Sequence, residues 1–114
     1  MIPIRLGAKK GNKHGAKKIR VDGILFDSLL EANRYGELKI LERAGEVSDI
    51  KVHPVFPVEI NGIHVCKVIL DFAYTDRHGC TVYEDTKGNQ TALSALKKKM
   101  VEAMYGIDVE IVRR

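Results

Sequence analysis

Val68-Ile69-Leu70-Asp71-Phe72-Ala73-Tyr74 and Cys80-Thr81-Val82-Tyr83-Glu84-Asp85-Thr86-Lys87-Gly88 are separated by a short polar stretch, Thr75-Asp76-Arg77-His78-Gly79. Both runs are rich in β-branched and aromatic residues, and the link carries turn residues, so the pair reads as an antiparallel hairpin. Side chains alternate along a strand, which places Asp85 and Lys87 on one face and Glu84 and Thr86 on the other. A two-residue loop would set Asp71 opposite Glu84. A three-residue loop, Arg77-His78-Gly79, sets it opposite Asp85, and glycine in the third position is what a type I turn closed by a left-handed residue requires. The three-residue register is therefore expected, with Asp71, Asp85 and Lys87 converging.

Working outward, Val55–Ile60 and 63–75 flank Asn61-Gly62, a strong hairpin turn, so that 55–60, 63–75 and 80–86 form a three-stranded antiparallel meander. The middle strand has apolar residues on both faces and is expected to be interior. A helix is predicted over 28–44, opened by Ser28-Leu29-Leu30-Glu31 in capping-box form and stopped by Gly45. A second helix over 91–105 is expected to turn Leu93, Leu96, Met100, Val101 and Met104 inward, with Gly106 as its stop. A last strand spans 109–112, and Lys18–Phe26 reads as a small hairpin about Asp22-Gly23. The fold class is mixed α/β (α+β): helix, three-stranded antiparallel meander, helix, strand.

At 114 residues this is one domain. A hydrophobic share of 45% with 30% charged residues fits a soluble globule, and no apolar run nears the roughly 18 residues of a membrane span. Cys66 and Cys80 have no metal-ligand spacing and read as buried thiols of a reduced, intracellular, cytoplasmic protein. Residues 1–20 hold Arg5, Lys9, Lys10, Lys13, Lys17, Lys18 and Arg20 and no acid. Residues 1–17 are read as a flexible, glycine-punctuated basic arm, followed by a single folded domain over 18–114. Such an arm suits nucleic-acid phosphate, and a solubilising tail is the plainer alternative.

An acid on an interior strand needs a counter-charge, because an unpaired buried carboxylate costs several kcal/mol. Two explanations of Asp71 stand: an ion pair with Lys87 or Lys67, or a hard cation held beside Asp85. Glu31, one turn into the first helix, either folds back on its N-cap or joins such a site, and the two roles exclude each other geometrically. His14, His53, His64 and His78 lack useful partners in sequence and read as solvated or phosphate-contacting. Lys97-Lys98-Lys99 reads as a wet helix face able to follow a nucleic-acid backbone into the same site.

Glu31, Asp71 and Asp85-Thr86-Lys87, in that order of elements, resemble the PD-(D/E)XK nuclease superfamily. Lys17-Lys18, Asp22-Gly23, Phe26-Asp27-Ser28, Glu31-Ala32, Asp71-Phe72, Glu84-Asp85-Thr86-Lys87-Gly88 and Lys97-Lys98-Lys99 further resemble a small phage-encoded family, formerly of unknown function and similar to Holliday-junction resolvases. The resemblance runs from Lys17 to the C-terminus. It implies a restriction-endonuclease-like core and Mg2+, with Mn2+ as a substitute. Asp71, Asp85, the Thr86 carbonyl and Glu31 would be its ligands. Lys87 would be the catalytic lysine, with Glu31, Asp71 and Asp85 as the other catalytic groups. The sequence departs from the pattern in having Leu70 rather than proline before the first acid and aspartate rather than glutamate as the second. The implied activity is metal-dependent hydrolysis of DNA phosphodiesters, selective for branched or four-way junctions, by a homodimer of a phage or prophage protein. Lys9, Lys10, Lys13, Lys17, Lys18, Lys97 and Lys98 would contact DNA. The alternatives are a nuclease without branch preference, a DNA-binding module that cuts nothing, and a structural protein with an ion pair at Asp71.

Overall fold

A computed structural model of the chain describes residues 18–86 and 91–112. Its elements are β1 (Ile19–Val21), β2 (Ile24–Phe26), α1 (Leu29–Arg43), β3 (Val47–Val52), β4 (Val55–Ile60), β5 (Ile63–Ile69), β6 (Phe72–Asp76), β7 (Thr81–Thr86), α2 (Ala92–Tyr105) and β8 (Val109–Val112). The fold is mixed α+β, with one four-stranded sheet, β3-β6-β7-β8, and two two-stranded hairpins, β1-β2 and β4-β5. Among the described residues no helix is long and apolar enough to cross a membrane.

Local chemistry sets the ends of the elements where the sequence predicts them. Ser28 Oγ accepts from the Glu31 N–H at 3.1 Å and starts α1, and Gly45 at φ 80 follows its C-cap. Asp22 and Gly23, both at positive φ, turn β1 into β2. The β6–β7 turn is the three-residue loop: Thr75 pairs with Thr81, the Asp76 N–H donates to the Cys80 carbonyl, and Gly79 sits at φ 84. Asp76 Oδ1 accepts from the N–H groups of His78 and Cys80, both at 2.9 Å, which hold its carboxyl below the usual carboxylate range. A Cβ at position 79 meets nothing within 4 Å, so a substitution there is opposed by backbone strain alone. Gly79→Ala is expected to cost about 1 kcal/mol, read as a lower urea midpoint at unchanged m-value.

The strand pairing differs from the expected meander. Val47–Val52 is a strand and takes the place assigned to Val55–Ile60, pairing antiparallel with β6. Its Ser48-Asp49-Ile50-Lys51 core has little apolar pattern, and the ladder shifts between Ser48 and Lys51, where Asp49 lies at φ 55. The long middle strand is two strands. β5 pairs only with β4, the chain breaks at Leu70-Asp71, and β6 enters the main sheet between β3 and β7. The break is pinned by the His53 N–H on the Asp71 carbonyl at 2.9 Å and the Leu70 N–H on the Pro54 carbonyl at 3.1 Å.

Each face of the main sheet has its own core. Phe26, Ala32, Tyr35, Leu38, Val47, Phe72 and Tyr74 pack beneath α1. Val58, Val68, Leu70 and Val101 pack where α2 and the β4–β5 hairpin meet the other face. α2 is oriented only in part as its apolar residues predict: Val101 is buried and Met100 packs against the same cluster, but Leu93, Leu96 and Met104 are exposed and Lys98 is buried. Val65 and Ile69 are likewise exposed, because β5 is covered on one side only. Cys66 is half-buried and Cys80 exposed, both free, so only the absence of a bridge matches the sequence reading.

Candidate functional site

Strand parity separates the adjacent acids at the end of β7. Glu84 points under α1, where Arg34 grips it with Nε at 2.9 Å and Nη2 at 2.6 Å, and the Tyr74 hydroxyl donates to the same carboxylate. At 1% exposure Glu84 is fully enclosed by this network, and hydrogen bonding to it pushes the Arg34 pKa upward. The Tyr74 hydroxyl is also pushed up, by burial first and by Glu84 second. Asp85 faces the other side, toward α2, where Lys98 Nζ lies 3.0 Å from its Oδ2.

Continuing the Phe72↔Glu84 register by one residue puts Asp71 level with Asp85, as the three-residue loop requires. The break before β6 then turns the Asp71 carboxylate toward Thr86: the Thr86 N–H and hydroxyl both donate to Oδ2 at 2.6 Å. Glu31 reaches the same carboxyl from the first turn of α1. The two acids are 9% and 5% exposed. Burial, and then the hydrogen bond with Glu31, push the Asp71 pKa up to about 6, against the lowering effect of the Thr86 donors. Among the described residues no ion pair joins Asp71 to Lys67.

Glu31 folds back past its N-cap and at the same time touches Asp71. Its Oε1 accepts from the Asp27 N–H at 3.1 Å, one residue before the N-cap, while its carboxyl also meets Asp71. His53, which the sequence reading takes as solvated or phosphate-contacting, stands beside this pair. Its Nε2 stands 3.6 Å from Glu31 Oε1, its ring leans on Phe26, and its N–H holds Asp71 from the backbone side. The residue sits at φ 57, a conformation uncommon outside glycine and concentrated at constrained sites. Only its place beside the Leu70-Asp71 break reveals it, and that break is a tertiary feature.

The predicted lysines fall into three groups. Lys97 and Lys98 line a groove of ≈ 300 Å³ together with Lys67, Ser94, Leu70 and Asp85, so part of the lysine run does meet the acid site. Lys98 is buried rather than solvated, which corrects the wet-face expectation for that residue. Lys18 pairs with Asp27 at 2.9 Å on the surface. Lys87, and with it the third member of the expected convergence, lies outside the described residues, as do Lys9, Lys10, Lys13 and Lys17 of the arm.

The groups in contact are hard oxygen: the Glu31 and Asp71 carboxyls and the Thr86 hydroxyl, with the Asp85 carboxyl one residue away on the opposite face of β7. That set suits Mg2+ or Mn2+ rather than a soft metal. Among the described residues no three His, Cys, Asp or Glu side chains form a ready metal cage. The fit therefore rests on the Glu31–Asp71 pair alone, two buried acids in contact, an arrangement that a cation relieves.

No curated protein and no solved structure matches the chain. A family model described as "Protein of unknown function (DUF1064)" matches residues 11–113, nearly the whole sequence, and the chain belongs to that family.

Proposed function

We propose that this protein is a metal-dependent DNA endonuclease with a restriction-endonuclease-like core of the PD-(D/E)XK kind, selective for branched DNA and acting in the cytoplasm as a homodimer. The observation that carries the reading is the meeting of Glu31 with Asp71 at the end of the sheet where β7 delivers Asp85 and Thr86. The topology supports it. With the β4–β5 hairpin set aside as an insertion, the order is helix, three antiparallel strands, helix, and a last strand parallel to β7.

Asp71, Asp85, the Thr86 carbonyl and Glu31 would hold Mg2+ or Mn2+, which lowers the pKa of bound water and offsets charge on the transferring phosphate. The protein's own groups have distinct tasks. Thr86 fixes the Asp71 carboxylate through two donors on Oδ2. Lys67 and Lys97 border the groove that reaches Asp85 and supply sequence-independent attraction for a phosphate backbone. Lys87, by analogy with the superfamily, would support the nucleophile or the developing charge.

The test is incubation of the purified protein with a four-way junction and a matched linear duplex, in Mg2+, in Mn2+ and in chelator. Metal-dependent cutting with preference for the junction is expected. Intact DNA of both kinds in both metals would sink the nuclease reading, and equal cutting of both would remove branch selectivity alone.

A further inference from the structure

We infer that Leu93 and Leu96, the exposed leucines of α2, form an apolar wedge beside a basic groove, and that wedge and groove together seat an unstacked base and its phosphate at a branch point of DNA. The inference rests on the branch-selective DNA binding proposed above and names residues that would supply the selectivity.

Leu93, Leu96, Met100 and Met104 recur at helical spacing and form one stripe along α2. The helix does not bury that stripe. Leu93 is 60% exposed, Leu96 54% and Met104 45%, and of the four only Met100 packs against the core, while Lys98 and Val101 take the inward side. Single exposed leucines are ordinary. Two in successive turns, on a helix that turns a lysine inward instead, leave a continuous apolar surface that packing within this chain does not use.

The neighbouring groove identifies the partner by charge. Lys97 stands one turn beyond Leu93, and with Ser94, Lys67 and Ile69 it lines the groove of ≈ 300 Å³. Lys98 is held by Asp85 at 3.0 Å, but among the described residues neither Lys67 nor Lys97 has an acidic partner. Two free ammonium groups beside exposed leucines fit a ligand that is anionic and apolar within a few ångströms. A closed duplex offers phosphates but keeps its base faces stacked. At a branch point stacking is interrupted, so that a base face and its phosphate are open together, and leucine is among the side chains that wedge against such steps. The lysines lie in a concavity that a strand can enter and a flat anionic bilayer cannot. Leucine carries no donor or acceptor, so the contact selects shape and reads no sequence.

The test is fluorescence anisotropy in chelator, where nothing is cut, with the full chain and a labelled four-way junction or its matched linear duplex. Leu93→Ser/Leu96→Ser is compared with wild type and with Leu93→Met/Leu96→Met, and circular dichroism verifies folding; Leu93→Ala/Leu96→Ala replaces the serine pair if that does not fold. The serine pair is expected to lose roughly tenfold in junction affinity with duplex affinity within about twofold of wild type, and the methionine pair to keep the preference. Lys67→Gln/Lys97→Gln is expected to weaken binding of both DNAs and to lower the salt slope by about 2. An unchanged junction preference in the serine pair overturns the inference, and so does an equal loss on both DNAs. Binding of wild type, but not of the serine pair, to phosphatidylserine–phosphatidylcholine vesicles with junction binding unchanged assigns the stripe to a membrane and overturns it too. A smaller oligomer in the serine pair by light scattering, again with junction preference unchanged, assigns the stripe to a second copy with the same result. Cleavage in Mg2+ is scored separately. A wild type that cuts while the serine pair keeps its preference leaves the nuclease reading standing, and one that grips the junction through the leucines but cuts neither DNA overturns the nuclease reading alone.

Discussion

Asp71→Asn is expected to abolish metal-dependent cleavage while making the metal-free protein more stable at neutral pH. The two effects have one cause. Burial and the neighbouring Glu31 raise the Asp71 pKa from 3.8 to about 6, so the folded state resists ionising a group that ionises readily when unfolded. A raised folded-state pKa contributes stability that is complete below pH 3.8 and is lost as pH rises through 6. Above pH 7 the whole shift weighs against folding, about 3 kcal/mol at roughly 1.4 kcal/mol per unit. Asparagine removes the charge and keeps the contacts: its carbonyl oxygen can accept from the Thr86 N–H and hydroxyl, and its amide can donate to Glu31. The variant is expected to gain roughly 1–3 kcal/mol in urea titrations at pH 7.5 in chelator, and to show a flatter stability profile between pH 4 and 7. Mg2+ or Mn2+ should raise the wild-type melting temperature and leave the variant unmoved. Cleavage is expected to fall by at least about 10³-fold, since a metal ligand supplies several kcal/mol at the transition state. A variant that is less stable than wild type at pH 7.5 without metal would show that the Glu31–Asp71 contact is ordinary packing. One that cuts normally would remove Asp71 from the site.

What the sequence revealed follows the range over which each feature is decided. Ser28, Gly45 and Asp76 to Gly79 act through hydrogen bonds or dihedrals within a few residues, so α1 and the β6–β7 register were legible and parity alone separated Glu84 from Asp85. Partner choice between strands is non-local. Val55–Ile60 and Ile63–Ile69 have the better strand pattern, but they pair with each other, and the polar Val47–Val52 takes the place beside β6. The same limit hid His53, which matters because the chain turns there, and Lys98, whose neighbours Lys97 and Lys99 give the run a solvated look. Glu31 was ambiguous in sequence because capping and site roles both ask for an acid one turn into α1; in the structure its carboxyl bonds the Asp27 N–H, one residue before the N-cap, and also meets Asp71.

Glu84→Ala is expected to carry the largest stability cost near the site, about 3–5 kcal/mol, without implicating Glu84 in chemistry. The carboxylate is buried with two guanidinium bonds and the Tyr74 hydroxyl on it, and truncation strands an Arg34 side chain only 18% exposed. Arg34 retains Glu37 at 3.0 Å, which places it among charges but does not replace the lost fork. Replacing the whole network by apolar groups, Arg34→Met, Tyr74→Phe and Glu84→Leu together, is expected to recover most of the loss, because the penalty lies in the unpaired charge rather than in absent attraction. Urea titration of the single and triple variants measures this directly. The functional side of the prediction uses Glu84→Gln below its melting temperature, where cleavage normalised to folded protein should stay within a few-fold of wild type. Asp85→Asn under the same conditions should lose cleavage, since its carboxylate faces the groove. If Glu84→Gln were the inactive variant and Asp85→Asn the active one, the face assignment of β7 would be reversed, and the metal site would have to be sought beneath α1 beside Arg34.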